Sequence, residues 1–136
     1  MSINKQNIVK LAKSGALSEA ELSKAFSSTT SSDVSIEDWG VCYSSNTGQL
    51  SEYCSVVAND SNDPITGIGM LAYSSNGSIL YCAQYTNGFE SQNIATSVGT
   101  NQFNPQDGNS ILCIVYGWTA NSSFYFSQTI TIASCD

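Results

Sequence analysis

The sequence predicts a mainly β fold, an antiparallel β-sandwich of immunoglobulin-like or jelly-roll-like type, with a short helical segment before it. Three observations predict it. Residues 66–85 place apolar runs on either side of Asn76-Gly77, the dipeptide of a two-residue type I′ hairpin. Strand-like runs recur between Gly, Asn and Pro punctuation from about residue 34 onward. The last run alternates cleanly, with Phe124, Phe126, Ile130 and Ile132 on one face and Tyr125, Ser127, Thr129 and Thr131 on the other.

Residues 1–28 read as an amphipathic helical segment. Ile8, Val9, Leu11 and Ala12 share one side of a helix over residues 3–13, which Ser14-Gly15 ends. A second helix starts at Ser18, where Ser18-Glu19-Ala20-Glu21 has capping-box spacing, and Leu22, Ala25 and Phe26 continue its apolar side. So short a pair needs a surface to bury against, which makes Ile8, Leu11, Leu22 and Phe26 candidate assembly residues.

Residues 17–28, LSEAELSKAFSS, resemble the end of a double-glycine export leader of the class II bacteriocin type. Leu17, Ser18, Glu21 and Leu22 match the core of that motif and Ala25 its apolar position, while Ser27-Ser28 stands where the family has Gly-Gly. The resemblance implies recognition by a peptidase-containing exporter that cuts after the two glycines, and the departure falls at the cut itself. The same residues also read as an ordinary capped helix.

Residues 29–33 form a polar linker, and residues 34–136 form the β domain. Its strands are expected near 39–44, 49–58, 67–74, 78–85, 93–98, 110–118 and 123–133. In the central hairpin, Tyr73 should face Leu80 and Leu71 should face Cys82. One face then carries Leu71, Tyr73, Leu80 and Cys82, and the other Ile68, Met70, Ala72, Ile79, Tyr81 and Ala83. Both faces are apolar, so this hairpin should be covered on both sides or lie centrally in a sheet.

Charge narrows the function. The chain has 136 residues, only 11% of them charged, and a net charge of -7. All four basic residues, Lys5, Lys10, Lys13 and Lys24, fall in the first 28 positions, and from Thr29 onward there are nine acids and no base. Such a surface cannot neutralise phosphates and has no basic patch for an anionic membrane, so neither nucleic acid nor membrane is an expected partner. No apolar run reaches the length of a transmembrane segment. The absence of His removes the usual general base and excludes Ser-His and Cys-His nucleophiles, so an enzyme is not expected. The N-terminus lacks the apolar core of a Sec signal, and the sequons at Asn59, Asn76 and Asn121 read as turn asparagines.

None of the five cysteines forms a C-x-x-C pair. Cys42, Cys82 and Cys113 lie in apolar runs and read either as small buried hydrophobes or as disulfide partners in an oxidising compartment. Cys82 and Cys113 are the candidate pair, bridging two sheets in the immunoglobulin manner, and Cys135 is expected to be free or intermolecular.

Two further sites are candidates. Asp60, Asn62 and Asp63 concentrate oxygen ligands in one loop, a pattern suited to calcium and similar to the acidic linker of cadherins, and suited equally to a solvated turn. Trp39, Tyr116 and Trp118 are a candidate aromatic platform for a sugar, or else core packing. No other cofactor is indicated.

These readings lead to a non-enzymatic exported β-sandwich acting through protein contacts, a self-assembling or adhesive extracellular component secreted or held at the cell surface by a non-Sec route. Self-association is the expected partnership, with a glycan or cell-surface ligand possible in chemical terms. The alternative is a small glycan- or lipid-binding module or toxin component, and for location the cytoplasm.

Overall fold

The computed structural model describes residues 33–136. The helical segment, the leader-like stretch 17–28 and the assembly candidates Ile8, Leu11, Leu22 and Phe26 lie outside the described residues.

The described chain is a β-sandwich of two four-stranded sheets. Its strands are β1 (Val34–Ser44), β2 (Gln49–Ala58), β3 (Ile65–Ser74), β4 (Leu80–Ser91), β5 (Asn93–Thr100), β6 (Ser110–Thr119), β7 (Ser123–Thr131) and β8 (Ala133–Ser134). The first sheet has the order β5-β2-β1-β8 and the second β4-β3-β6-β7. Pairing is antiparallel except for the short contact of β8 with β1, where Cys42 lies beside Ala133 and Tyr43 beside Ser134. The expected strands are all present. Among the described residues the only helical turn is Pro105–Asp107, a 3-10 turn whose Asn104 side chain accepts from the Gln106 N–H at 3.0 Å.

Alternation in the sequence becomes the core between the sheets. Leu50, Cys54, Val56 and Ala58 point inward from β2, and Ile65, Ile68, Met70, Val115 and Phe124 meet them from the second sheet. At the other end Val41 and Leu50 pack on Ala72, Ile111 and Cys113. Phe103 closes that end from the β5–β6 loop, its ring edge-on to Tyr43 at 5.6 Å and Tyr81 at 5.4 Å.

Two expectations for the central hairpin change. The turn is not type I′, because no non-glycine residue has positive φ and only Gly77, at +77°, adopts that region. The Asn76 side chain instead accepts from the Ser78 N–H at 3.0 Å, and Ser74 N–H donates to the Ile79 carbonyl at 2.8 Å around a four-residue loop. Tyr73 faces Leu80 as expected, but a bulge follows, so Leu71 faces Ala83 and Cys82 faces Ala72. The extra residue turns Cys82 onto the face toward the first sheet.

The cysteine expectation is also corrected. Cys42 and Cys135 form the disulfide, with Cα atoms 5.1 Å apart, and Cys54, Cys82 and Cys113 are free thiols. Cys82 and Cys113 flank Ala72 from opposite sides within one sheet. Two strand spacings separate them by about 9.6 Å, beyond the ~7 Å that a disulfide spans. Cys135, expected to be free, is carried to Cys42 by the parallel pairing of β8, and its N–H donates to the Tyr43 carbonyl at 3.0 Å.

Candidate functional site

The two outer faces of the sandwich differ in chemistry. On the first sheet, Ser51, Ser55, Asn93 and Ser97 alternate with inward apolar residues, and this face is small and polar. On the second sheet the burial of β3 and β6 scarcely alternates at all. Leu71 and Tyr73 of β3 and Ile114, Tyr116 and Trp118 of β6 form a cluster on its outer face. Leu80, Ala83 and Tyr85 of β4, Leu112 of β6 and Tyr125 of β7 pack against it. Every described member belongs to this one sheet, yet Leu71, Ile114 and Tyr116 are 0% exposed.

Glycines let the aromatic rings lie flat on the strands. The Tyr116 ring covers Gly69 and the Tyr85 hydroxyl sits over Gly67, so a Cβ at either position would collide with a ring. Tyr85 stacks on Tyr116 at 6.0 Å, and Trp118 stands edge-on to both, at 5.9 and 6.1 Å. Burial pushes the Tyr85 hydroxyl up to about 12 and raises Tyr116 as well. The face is therefore a dry aromatic layer.

The expected platform of Trp39, Tyr116 and Trp118 is not assembled. Tyr116 and Trp118 lie on this outer face at 0% and 7% exposure, while Trp39 belongs to the other sheet and packs against the core between the two. There its Nε1–H donates to the Glu52 carboxylate at 2.9 Å. Glu52 is 1% exposed, its Oε1 has no hydrogen-bond partner among the described residues, and desolvation raises its pKa to about 8 against a smaller lowering by Trp39. Sequence reasoning passed over Glu52 as a core group, although it occupies the inward phase of Leu50, Cys54 and Val56. Burial first and Glu52 second raise Cys54 and Cys82 to about 12, so these thiols are weak nucleophiles.

The calcium candidates serve as a clasp between loops. The Asp63 carboxylate accepts from Asn121 N–H at 2.8 Å, Asn121 Nδ2 at 3.1 Å and Thr119 Oγ1 at 3.0 Å. Asp60 accepts from the Asn62 N–H at 2.9 Å in an Asx turn. These carboxylates are engaged by donors of their own chain, and among the described residues no cluster of His, Cys, Asp or Glu is suited to a metal ion.

Two other features are open. β4, β5 and β7 are long sheet edges, and Glu90 is the one charged residue in them. Tyr53, 40% exposed, lies over Gly40 on the polar face, beside a shallow cleft of about 320 Å³ lined by Asp38, Ser55, Thr96 and Ser97.

No family model and no curated protein matches this chain. Solved structures do. OgpA from Akkermansia muciniphila is similar with a TM-score of 0.51 at 6% identity, over 75% of this chain and 29% of that one. A DUF3823 family protein from Bacteroides ovatus is similar at 0.48 and 9% identity, over 74% of this chain and 55% of its own. A superoxide reductase (neelaredoxin) from Ignicoccus hospitalis gives 0.41 at 11% identity, over 85% and 93% of the two chains. At these identities the likeness is one of fold alone.

Proposed function

We propose that this protein is a non-enzymatic, exported β-sandwich that acts through protein contacts as a self-assembling or adhesive extracellular component. The observation that carries the reading is the unguarded edge at β7. This strand pairs with β6 without a break from Ser123 to Thr131, it is the last strand of its sheet among the described residues, and it contains no charge and no proline. Sheet edges that must not associate carry Lys, Pro or bulges, and β7 has none of these. A partner strand can add there through main-chain hydrogen bonds. Export is supported by the Cys42–Cys135 disulfide, which suits an oxidising compartment. Among the described residues no helix is long and apolar enough to cross a membrane.

Electron microscopy and size-exclusion chromatography of the purified chain test the reading. Ordered particles are expected, and the exposed pair Ser127→Lys with Thr129→Lys should shrink them without unfolding the domain. Particles unchanged by both lysines would remove β7 from the reading, and a strictly monomeric protein would end it. The alternative, a glycan- or lipid-headgroup-binding module, draws on Tyr53, whose exposed ring beside Asp38 and Ser97 offers a stacking surface with polar neighbours. Glycan-array binding by a monomer, lost in Tyr53→Ala, would favour it.

A further inference from the structure

We propose that Asn76 is a self-modifying site, at which the Gly77 amide displaces the side-chain ammonia and leaves an aspartyl or isoaspartyl residue in the turn between β3 and β4. The first ground is access. Asn76 is exposed, and Gly77 has no Cβ to crowd the approach of its nitrogen. The second ground is the set of donors around the amide. Asn76 Oδ1 accepts from Ser78 Oγ at 2.7 Å, Ser74 Oγ at 2.8 Å and Ser78 N–H at 3.0 Å. The last of these closes an Asx turn, which folds the side-chain carbonyl over the Gly77 peptide. Ser74 Oγ is itself oriented, because it accepts from the Ile79 N–H at 3.0 Å. Donors gathered on a carbonyl oxygen stabilise the negative charge that grows there when a nucleophile adds to its carbon. The third ground is the leaving group. Among the described residues no acceptor holds Asn76 Nδ2. By contrast, Asn59 Nδ2 donates to Ser35 at 2.8 Å and Asn121 Nδ2 to Asp63 at 3.1 Å.

The steps balance with water and hydroxide alone. Hydroxide takes the proton of the Gly77 N–H, which in the resting turn donates to the Ser74 carbonyl at 2.7 Å, so the reaction begins when that bond opens. The nitrogen pair forms a bond to Asn76 Cγ, and the carbonyl pair moves onto Oδ1 beneath its donors. The carbonyl then re-forms, the Cγ–Nδ2 bond breaks, and ammonia leaves with a proton from water. Water opens the cyclic imide. Opening at Cγ gives aspartate, and opening at the Asn76 main-chain carbonyl gives isoaspartate, which lengthens the backbone of the turn. The net change is amide and water to carboxylate and ammonium. The chain carries its own control, because Asn-Gly recurs at Asn87-Gly88, also exposed. Asn87 is held in β4 opposite Gly67, and among the described residues no donor meets its side-chain carbonyl.

The test is incubation of the full folded chain in mildly alkaline buffer made with oxygen-18 water, followed by peptide mapping with mass spectrometry. Position 76 should exchange NH for labelled oxygen, yield both aspartyl and isoaspartyl peptides, and convert about tenfold faster than position 87. In urea, where no turn gathers the donors, the two rates should draw together. Conversion at Asn76 no faster than at Asn87 in the folded chain would overturn the proposal. A variant at the exposed Ser78, Ser78→Ala, removes one donor and keeps the main-chain N–H. It should slow position 76 several-fold and leave position 87 unchanged. An undiminished rate at position 76 in Ser78→Ala would also count against the site. Peptide mapping reads the conversion whatever the particle size, so its failure and the failure of assembly through β7 are read separately.

Discussion

The two sheets share one core and differ on the sides facing away from it. In the first sheet β2 and β5 alternate buried and less buried residues, and the outer face carries Ser and Asn around the exposed Tyr53. In the second, β3 and β6 are buried along nearly their whole length, and the outer face is Leu, Ile, Tyr and Trp. An alternating strand needs one neighbouring layer, whereas a continuously apolar strand needs two. The difference teaches that the first sheet turns a polar face outward, whereas the second holds apolar side chains out of water on both of its faces.

The largest expected effect concerns an exception within the polar-faced sheet. Glu52 holds a carboxyl in the inward apolar phase, with a folded pKa of about 8 against an ordinary 4.5. Between these values the folded chain keeps a proton that the unfolded chain releases. Stability is therefore fully present below pH 4.5 and is lost as pH rises through about 8, by on the order of 5 kcal/mol. Urea denaturation at several pH values should show this slope, and Glu52→Gln should flatten it. A slope that survives in Glu52→Gln would mean that another group carries it.

The outer faces are compared directly by truncation. Tyr116→Ala, on the enclosed face, should cost about 3–5 kcal/mol, as for other buried aromatics. Ser97→Ala, on the polar face, should stay within about 0.5 kcal/mol. Equal losses from thermal unfolding would erase the distinction between the faces.

The disulfide belongs to the polar-faced sheet alone and closes a separation of 93 residues. Replacing Cys42 and Cys135 with Ser should lower stability by about 2–5 kcal/mol, chiefly by freeing the unfolded chain. If the mature protein instead shows five free thiols by mass spectrometry, that tie between β8 and β1 is absent.

The smallest effect comes from a matched pair of glycines. Gly69 and Gly40 each lie beneath a tyrosine ring, Tyr116 on the enclosed face and Tyr53 on the open one. Gly69→Ala should cost about 1–3 kcal/mol because the enclosed ring has nowhere to move. At Gly40→Ala, Tyr53 can swing into solvent and the cost should fall below about 1 kcal/mol. Similar unfolding midpoints for the two variants would show that the enclosed face is as yielding as the open one.

The sequence by itself determined the strands and their phases. Period-two alternation in β2 and β7 and unbroken apolar runs in β3 and β6 are local properties, written in neighbouring residues. The central hairpin was expected to be covered on both sides or to lie centrally in a sheet; β3 does lie between β4 and β6 while β4 is a half-exposed edge, and the phase of Glu52 in β2 was a signal that went unused. Only the tertiary structure decided which strands share a sheet, and most errors follow from that. Cys82 and Cys113 fell in one sheet with Ala72 between them, Cys42 met Cys135 across the chain, and Trp39 was separated from Tyr116. A single bulge after Tyr73 then moved Cys82 to the opposite face. Pairing and register depend on contacts between residues far apart in the chain, and one inserted residue reverses every side chain beyond it, so no local pattern contains them.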